Sequence, residues 1–569
     1  MSNRRIVICL LALSLAPPGW SAGTEGPLPA MRAELQRSMR ELRLEQLARP
    51  YFVSYRIDDT DTVFANGSFG SLATSSRARH RFLFVEVRVG SYELDNTNYA
   101  SLRRRPSGIL RSFGGRSVMV LDDDPVEIRR TIWLATDDAY KQALENLASK
   151  RAALQNRQQV EELADFSREE PTVTTDEAPE VRLDLGQAET LVRRLSALFR
   201  EMPAVQTGFV TYNEGVTRTW YVNSEGSSFT RSRAQARLFV RIEGQAEDGL
   251  PLIDSYAAYG AGRRDMPADE ELERTVQGMG ARLGRLRQAT LVERYNGPVL
   301  FEGTAAASIL ALGFVPKLVA SRVPVADDAR RAARMADDPD SLRDRIGARI
   351  LPRFLYLTDD PTRTELDGQK LPVHYKVDDE AVEARPTKII ERGLLRTLLA
   401  NRTPVPGIDR STGHSRGGWI LPSNLELRGD GALTSDALRE ELLLEVRDRD
   451  LEYGIIVRRV EDSNPRLPIA ITEAYRVYTD GREELMRNGQ MSQLTLRAFK
   501  DILAVSDDRV LYTTRLSVRS NSGQFGRGVI SIAAPSLLFE DLSITRPTGD
   551  IPFPPVAAHP FFEPPETEH

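Results

Sequence analysis

Ser411-Thr-Gly-His-Ser-Arg-Gly-Gly-Trp-Ile-Leu-Pro-Ser-Asn424 contains Gly413-His414-Ser415-Arg416-Gly417, a match to G-x-S-x-G, and its reading decides the architecture around it. A nucleophile elbow demands a strand before the serine, to aim its hydroxyl, and a helix after it, whose N-terminus helps form the oxyanion hole. Upstream, Asn401-Arg-Thr-Pro-Val-Pro-Gly-Ile-Asp409 has two prolines and a glycine, which forbid a regular strand. Downstream, Gly417-Gly418 and Pro422 forbid a helix. The only histidines after Ser415 are His559 and His569, both in a proline-rich tail, so the elbow's order of serine, acid and histidine is not available. The stretch therefore reads as a glycine-flanked loop leading into a strand.

The surrounding chain has an ordinary globular composition. Its 569 residues, 41% hydrophobic, suffice for two or three domains with substantial cores. Lys+Arg number 76 against Asp+Glu 81, with the signs interspersed, and no basic block interleaved with aromatics marks a nucleic-acid surface. Arg4-Arg5 precede the apolar run Ile6 to Ala16, Pro17-Pro18 and Ser21-Ala22-Gly23, which together predict a secretory signal peptide over residues 1–22. The run is about half the ~20 residues a membrane span needs, so no span is expected after cleavage, and the mature chain is expected in the periplasm or secreted. Cleavage removes two arginines, taking the net charge from −5 to −7, and removes Cys9, the only cysteine. Disulfides, thiolate zinc ligands and cysteine nucleophiles are then excluded.

Periodicity organises the rest. A helix is predicted over Met31 to Leu47, then a strand-rich block to about Trp133 in which Tyr51–Ile57 and Arg81–Val89 alternate around a turn at Asn66-Gly67. Thr136-Asp137-Asp138 predicts the cap of a helix running to about Leu163, with Tyr140, Leu144, Leu147 and Leu154 on one face. An acidic linker, about 166–180, precedes a helix carrying Leu191, Leu195, Leu198 and Phe199. Ser76-Arg77-Ala78-x-x-Arg81 and Ser232-Arg233-Ala234-x-x-Arg237 each open an alternating strand, after Val53-Ser-Tyr55 and Val210-Thr-Tyr212, and predict a duplicated β-unit. A helix with Leu272, Val276, Met279, Leu283 and Leu286 closes this N-terminal half, residues 23–294.

Residues 295–545 read as a second, β-rich domain. A short strand at Pro298–Phe301 leads to a small-residue helix capped by Thr304, running through Ala305, Ile309, Leu312 and Phe314, and a charged helical region follows from Asp327 to Arg349. Strands are then predicted at Arg353–Leu357, Leu425–Leu427, Tyr453–Val460, Ile469–Tyr478 and Leu511–Arg519, with a tight hairpin at Asp480-Gly481. Gly523, Gly526 and Gly528 open no helix and make no dinucleotide fingerprint. The tail, 546–569, has seven prolines and is expected to be extended.

Several stretches, in this order, resemble the TldD/PmbA family of metallopeptidase-related proteins: Pro298–Glu302, Asp359-Asp360-Pro361-Thr362, Val377-Asp-Asp-Glu380, Ile390-Glu-Arg-Gly-Leu-Leu395, Ser411–Asn424, Ala504-Val-Ser-Asp-Asp508 and Ala534–Glu540. The resemblance is best from about 295 to 545. It implies an α+β fold: a mixed N-terminal domain of duplicated β-units and helices, and a C-terminal domain dominated by a large curved, barrel-like antiparallel sheet. It also implies dimers enclosing a chamber that admits unfolded peptides. Catalytic members carry H-E-x-x-x-H on a helix and a C-terminal cysteine, because zinc wants imidazole or thiolate donors and a glutamate can act as base on its bound water. Here the matching positions are Phe301, Glu302 and Ala306, and Asn521 stands at the cysteine position. The metal site is degenerate. No metal or cofactor is expected in this chain, and zinc belongs to a catalytic partner.

The other histidines, His80, His374, His414, His559 and His569, show no close pairing of the kind helical metal sites use. Asp378, Asp379 and Glu380, with Asp359 and Asp360, offer oxygens but read as turn acids. The expected function is a secreted, non-catalytic subunit of a heteromeric metallopeptidase, holding unfolded peptide beside a TldD-like catalytic paralogue or a second copy of itself. Ser411, His414, Ser415, Asp378 and Glu380 are expected to contact peptide or partner. No catalytic residue is expected, Glu302 and Ser415 being the candidates, and two alternatives stand beside this reading: a stand-alone hydrolase using Ser415 or a carboxylate-held metal, and a non-enzymatic envelope protein that binds peptide or is structural.

Overall fold

The computed structural model describes residues 26–548 except 45, 101–111, 114–115, 156–161, 177–180, 293, 327, 329, 331–340, 462–467, 493 and 520–524, and also 551–557 and 559–562. Residues 1–22, where a signal peptide is expected, and Asn521 lie outside the described residues.

Alternation over long segments produces the N-terminal sheet. β1 (Pro50–Ser68) and β2 (Ser71–Val89) form one antiparallel hairpin, and β3 (Thr207–Asn223) and β4 (Ser228–Gln245) form another. β1 pairs with β3, setting the hairpins side by side, and β5 (Pro251–Gly260) adds to β4. The β-unit is thus present twice. Its two short sequence matches do not share a register, since Tyr55 faces Val85 and Arg77 faces Val63, whereas Tyr212 faces Leu238 and Arg233 faces Thr217.

Helices cover the apolar face in two patches. α1 (Leu28–Glu41) and α2 (Pro125–Gln155) bury Met31, Ile128, Ile132, Tyr140 and Leu147 against Val53, Tyr55, Ile57 and Leu83. α3 (Leu185–Ala197) and α4 (Asp269–Leu286) bury Leu191, Leu195, Val276 and Leu283 against Val210, Leu238 and Val240.

Two boundaries correct the sequence reading. The first hairpin turns at Phe69-Gly70, with φ of 46° and 76°, and Asn66-Gly67 lies inside β1 at a break in register. Phe69 is held in this left-handed conformation by ring contacts with Phe199 and Phe561, at 5.7 and 5.4 Å, which a local turn signal does not record. α2 begins at Pro125, well before Thr136: Asp124 accepts from Val126 N and Glu127 N at 2.8 and 3.2 Å, so the acid and the following proline start the helix.

The C-terminal half is organised around one very long strand. In chain order it contains β6 (Arg294–Phe301), α5 (Thr304–Gly313), β7 (Leu355–Asp359), β8 (Thr387–Glu391), β9 (Asn424–Gly429), α6 (Ser435–Asp448), β10 (Tyr453–Val460), β11 (Ile469–Tyr478), β12 (Gly489–Met491), β13 (Ile502–Arg519) and β14 (Phe525–Thr545). β14 pairs with β6, β9, β12 and β13. β6, β10, β11, β12 and β14 close on one another as a five-strand barrel. The barrel-like sheet is therefore present, with parallel pairings at β6–β10 and β9–β14 among the antiparallel ones. Because β14 has neighbours on both faces, its run Val529–Phe539 is buried almost continuously, as a doubly covered strand must be.

Sequence periodicity missed α6, capped by Thr434 through Ala437 N and burying Leu438, Leu442 and Val446. The helical region expected before Arg349 is not helical over 341–349, which hold a single tight turn at Arg343–Arg345, and 331–340 lie outside the described residues. No described helix is long and apolar enough to cross a membrane.

Candidate functional site

The opening stretch folds as its glycines dictate. Ser415–Arg416 and Trp419–Ile420 form a small hairpin turned by Gly417-Gly418, with φ of 63° and 81°, and Pro422 leads straight into β9. No strand aims Ser415 and no helix follows it. Ser415 is 1% exposed; its N–H donates to Asp378 Oδ2 at 3.0 Å and its carbonyl accepts from Asp379 N at 2.8 Å. A serine enclosed in this way cannot reach a carbonyl substrate, which removes Ser415 as a nucleophile. Because the backbone makes these bonds, Ser415→Ala is expected to shift stability by no more than about 1 kcal/mol, checked by denaturant unfolding.

His414 is wholly buried, with Nε2 2.8 Å from Asp359 Oδ2 in a contact that lacks hydrogen-bond alignment. Its Nδ1 lies 2.8 Å from Thr412 O and 2.9 Å from Thr412 Oγ1. The acid–imidazole–hydroxyl order imitates a triad, but Thr412 Oγ1 already accepts from Ala400 N at 2.8 Å and donates to Ala400 O at 3.1 Å. The group pins loops together.

Asp378 and Glu380 sit in the same knot. Asp378 accepts from Glu380 N, Val382 N and Ser415 N, and burial, reinforced by Glu380, raises its pKa well above the carboxylate range. Glu380 accepts from Arg402 N at 2.9 Å, and burial together with Glu86 pushes it up to about 7. A carboxyl whose folded pKa is raised stabilises the fold below its unfolded value and loses that contribution as pH rises through the folded one. Stability from Glu380 is therefore expected to decline from about pH 4 towards 7. Glu380→Gln should flatten that decline in unfolding midpoints measured at pH 4.5 and 7.5.

Neighbours of this knot, with Ser411 itself, hold the two halves of the chain together. Asp379 binds Arg56 of β1, Nη1 to Oδ2 at 3.0 Å, and Arg231 of β4. Arg402 clamps Glu225 at 2.6 and 2.8 Å, and Ser411 N donates to Glu169 at 3.1 Å. Buried among the loops of the C-terminal half, His414, Ser415 and Asp378 are not available to a peptide, which corrects that expectation.

The degenerate metal positions are apolar or already paired. Phe301 ends β6 and meets Phe539 edge-on at 5.4 Å, Ala306 lies buried in α5, and Glu302 between them pairs with Arg458 at 2.9 Å. Phe301 and Ala306 thus lie on different elements, not on one helix. α5 itself, Thr-Ala-Ala-Ala-Ser-Ile-Leu-Ala-Leu-Gly, contains no histidine, cysteine or acid, so no register along it presents zinc ligands. Among the described residues no group of three or more His, Cys, Asp or Glu is placed to hold a metal. These residues do not fit zinc.

The space a ligand would use lies elsewhere. A cleft of about 770 Å³ opens between β5 on one side and β10 and β13 on the other, with Thr304 and Ser308 of α5 on its wall. Asp254 of β5 meets Arg282 at 2.6 Å and Arg459 of β10 at 3.9 Å, and burial raises its pKa while lowering that of Arg459. Arg264 and Arg515 also line the cleft, exposed and without an acidic partner among the described residues. Among the described residues β5 pairs only with β4, and β13 only with β14 apart from an isolated bridge at Ser506, so two strand edges lie open to them beside the cleft. Its lining runs from Arg237 to Arg515, a set no local motif could have announced.

Residues 296–546 match the PmbA/TldA metallopeptidase C-terminal domain. A metalloprotease of Methanocaldococcus jannaschii is 25% identical over 167 residues, 29% of this chain and 36% of that protein, so the match spans about a third of the relative. Three crystal structures share the fold. TldE from Thermococcus kodakarensis has a TM-score of 0.53 at 14% identity, covering 91% of this chain and 100% of that one. A Thermotoga maritima protein proposed as a DNA gyrase modulator has a TM-score of 0.56 at 18% identity, covering 87% and 96%. A Bacteroides thetaiotaomicron protein of the same description has a TM-score of 0.58 at 12% identity, covering 91% and 98%. With the ordered motifs of that half and this barrel, residues 296–546 form a C-terminal domain of the PmbA/TldA metallopeptidase family.

Proposed function

We propose that the chain is an exported, non-catalytic subunit of a heteromeric metallopeptidase, and that its cleft holds an extended segment of unfolded polypeptide. The observation that carries this is the pair of open strand edges, β5 and β13, flanking a cleft beside a helix without metal ligands. An open edge presents unpaired N–H and C=O groups, and an extended chain satisfies them whatever its side chains, which suits capture of unfolded polypeptide. Arg264 and Arg515 favour acidic side chains or a terminal carboxylate at the same place. Zinc and the attacking water come from a paralogue carrying H-E-x-x-x-H. Export rests on Arg4-Arg5, the following apolar run and Ser21-Ala22-Gly23.

The test uses the full chain and a short fluorescent peptide, compared with the same peptide N-methylated at alternate amides. Pairing along a strand edge predicts affinity at least about tenfold weaker for the methylated peptide, since several backbone bonds of roughly 1 kcal/mol each are lost. Equal binding of the two peptides would refute edge pairing.

A further inference from the structure

Four arginines converge where the two halves meet. Arg56 comes from β1, Arg231 and Arg233 from the same face of β4, two residues apart, and Arg416 from the small hairpin of the C-terminal half. Asp379 engages Arg56 and Arg231, and Asp58 lies 3.4 Å from Arg56 Nε. Arg231 Nη1 also donates to Val377 O at 2.9 Å. Arg416 spends its Nη groups on Val529 O, at 3.1 and 3.0 Å, and on Pro422 O.

Arg233 has no such partner. Its Nε and Nη2 are buried without a hydrogen bond, and its guanidinium lies 5.0 Å from the Tyr375 ring. The Nε atoms of Arg56, Arg231 and Arg416 are buried without a hydrogen bond as well. Burial, then Arg231 and Arg416, outweigh the nearby Asp379 carboxylate and hold the Arg233 guanidinium down to about 9. A buried guanidinium whose N–H groups lack an acceptor is costly, and the group that relieves it best is an anion offering two or more acceptor oxygens in the guanidinium plane.

We propose that Arg233, flanked by Arg231 and Arg416, binds a small oxyanion at the seam between the two halves. The shared chemistry is that of carboxylate and of tetrahedral phosphate or sulfate. The ligand would bridge β4 to the hairpin that carries Gly417-Gly418, and so tighten the contact Asp379 already makes.

The test is thermal unfolding of the full chain at constant ionic strength in chloride, acetate, sulfate or inorganic phosphate. The midpoint is expected to rise saturably in an oxyanion over chloride. A rise in acetate alone assigns a carboxylate; a rise in phosphate or sulfate assigns a tetrahedral anion. Arg233→Met should weaken the effect by at least about tenfold, and in chloride it should unfold no lower than wild type, because it removes a buried cation whose N–H groups lack acceptors and which two other arginines crowd. Arg233→Lys should recover only part of the response. Equal wild-type midpoints in all four salts would overturn the proposal, as would a rise that survives Arg233→Met. If Arg233→Met fails to fold, the wild-type series and Arg233→Lys still decide, since a full response in the lysine variant also overturns it.

Discussion

Asp379→Ala is expected to lower the unfolding free energy by about 3–5 kcal/mol, seen as a lower denaturant midpoint. The carboxylate binds Arg56 and Arg231 and accepts from Gly417 N at 2.5 Å, so one side chain ties β1 and β4 to the C-terminal hairpin. Removing it leaves Arg56, Arg231, Arg233 and Arg416 crowded with little to compensate them, and the unpaired charges, more than the lost contacts, set the size of the effect. Asp379→Asn keeps the shape and an acceptor for Gly417 but not the charge, and should lose most of the same stability. Burial alone would raise the Asp379 pKa, but Arg231, Arg56 and Arg233 outweigh it and hold it far below the usual carboxylate range. Its contribution is therefore present above the unfolded value near 4 and lost as pH falls towards the folded one. The acid limb of stability should flatten in Asp379→Asn. This trend is opposite to that expected for Glu380.

The second large effect is expected at Asp359. It is wholly buried at the end of β7, accepting from Ser423 N at 2.9 Å, Ser423 Oγ at 3.0 Å and Asn424 N at 2.6 Å, with His414 Nε2 against it. These bonds fix where β9 starts, and β9 pairs with both β7 and β14. Asp359→Ala strands several buried donors at once, each worth roughly 1–3 kcal/mol, and a loss of about 3–5 kcal/mol is expected after partial relaxation. Burial raises the Asp359 pKa, while His414 and Ser423 outweigh it and hold it low. His414→Ala removes one contact of several and should cost less. Unfolding midpoints for the two variants check that order.

The long hairpins were legible because alternation over β1, β2, β3 and β4 is a local property of the sequence. Their turns were less so: Phe69 takes a left-handed conformation that its contacts with Phe199 and Phe561 impose from far along the chain. The start of α2 was written in Asp124-Pro125, upstream of the Thr136 cap that periodicity favours. Barrel closure depends on β14 reaching β6, some 230 residues earlier, which periodicity cannot express. The candidate site divides in the same way. Asp378, Glu380, His414 and Ser415 do come together, but residue type alone cannot tell a buried polar knot from a catalytic one. The lack of zinc ligands on α5 was readable, since it needs only composition. The cleft between β5 and β13 was not, because its walls come from both halves.

The most direct measurement of peptide holding without metal chemistry is mass spectrometry of an unfolded polypeptide incubated with the purified full chain, with zinc or with a chelator. The account predicts that the polypeptide is retained intact, equally well in both conditions, and is cleaved only after a paralogue carrying H-E-x-x-x-H is added. Cleavage by the chain alone, stopped by the chelator, would contradict it.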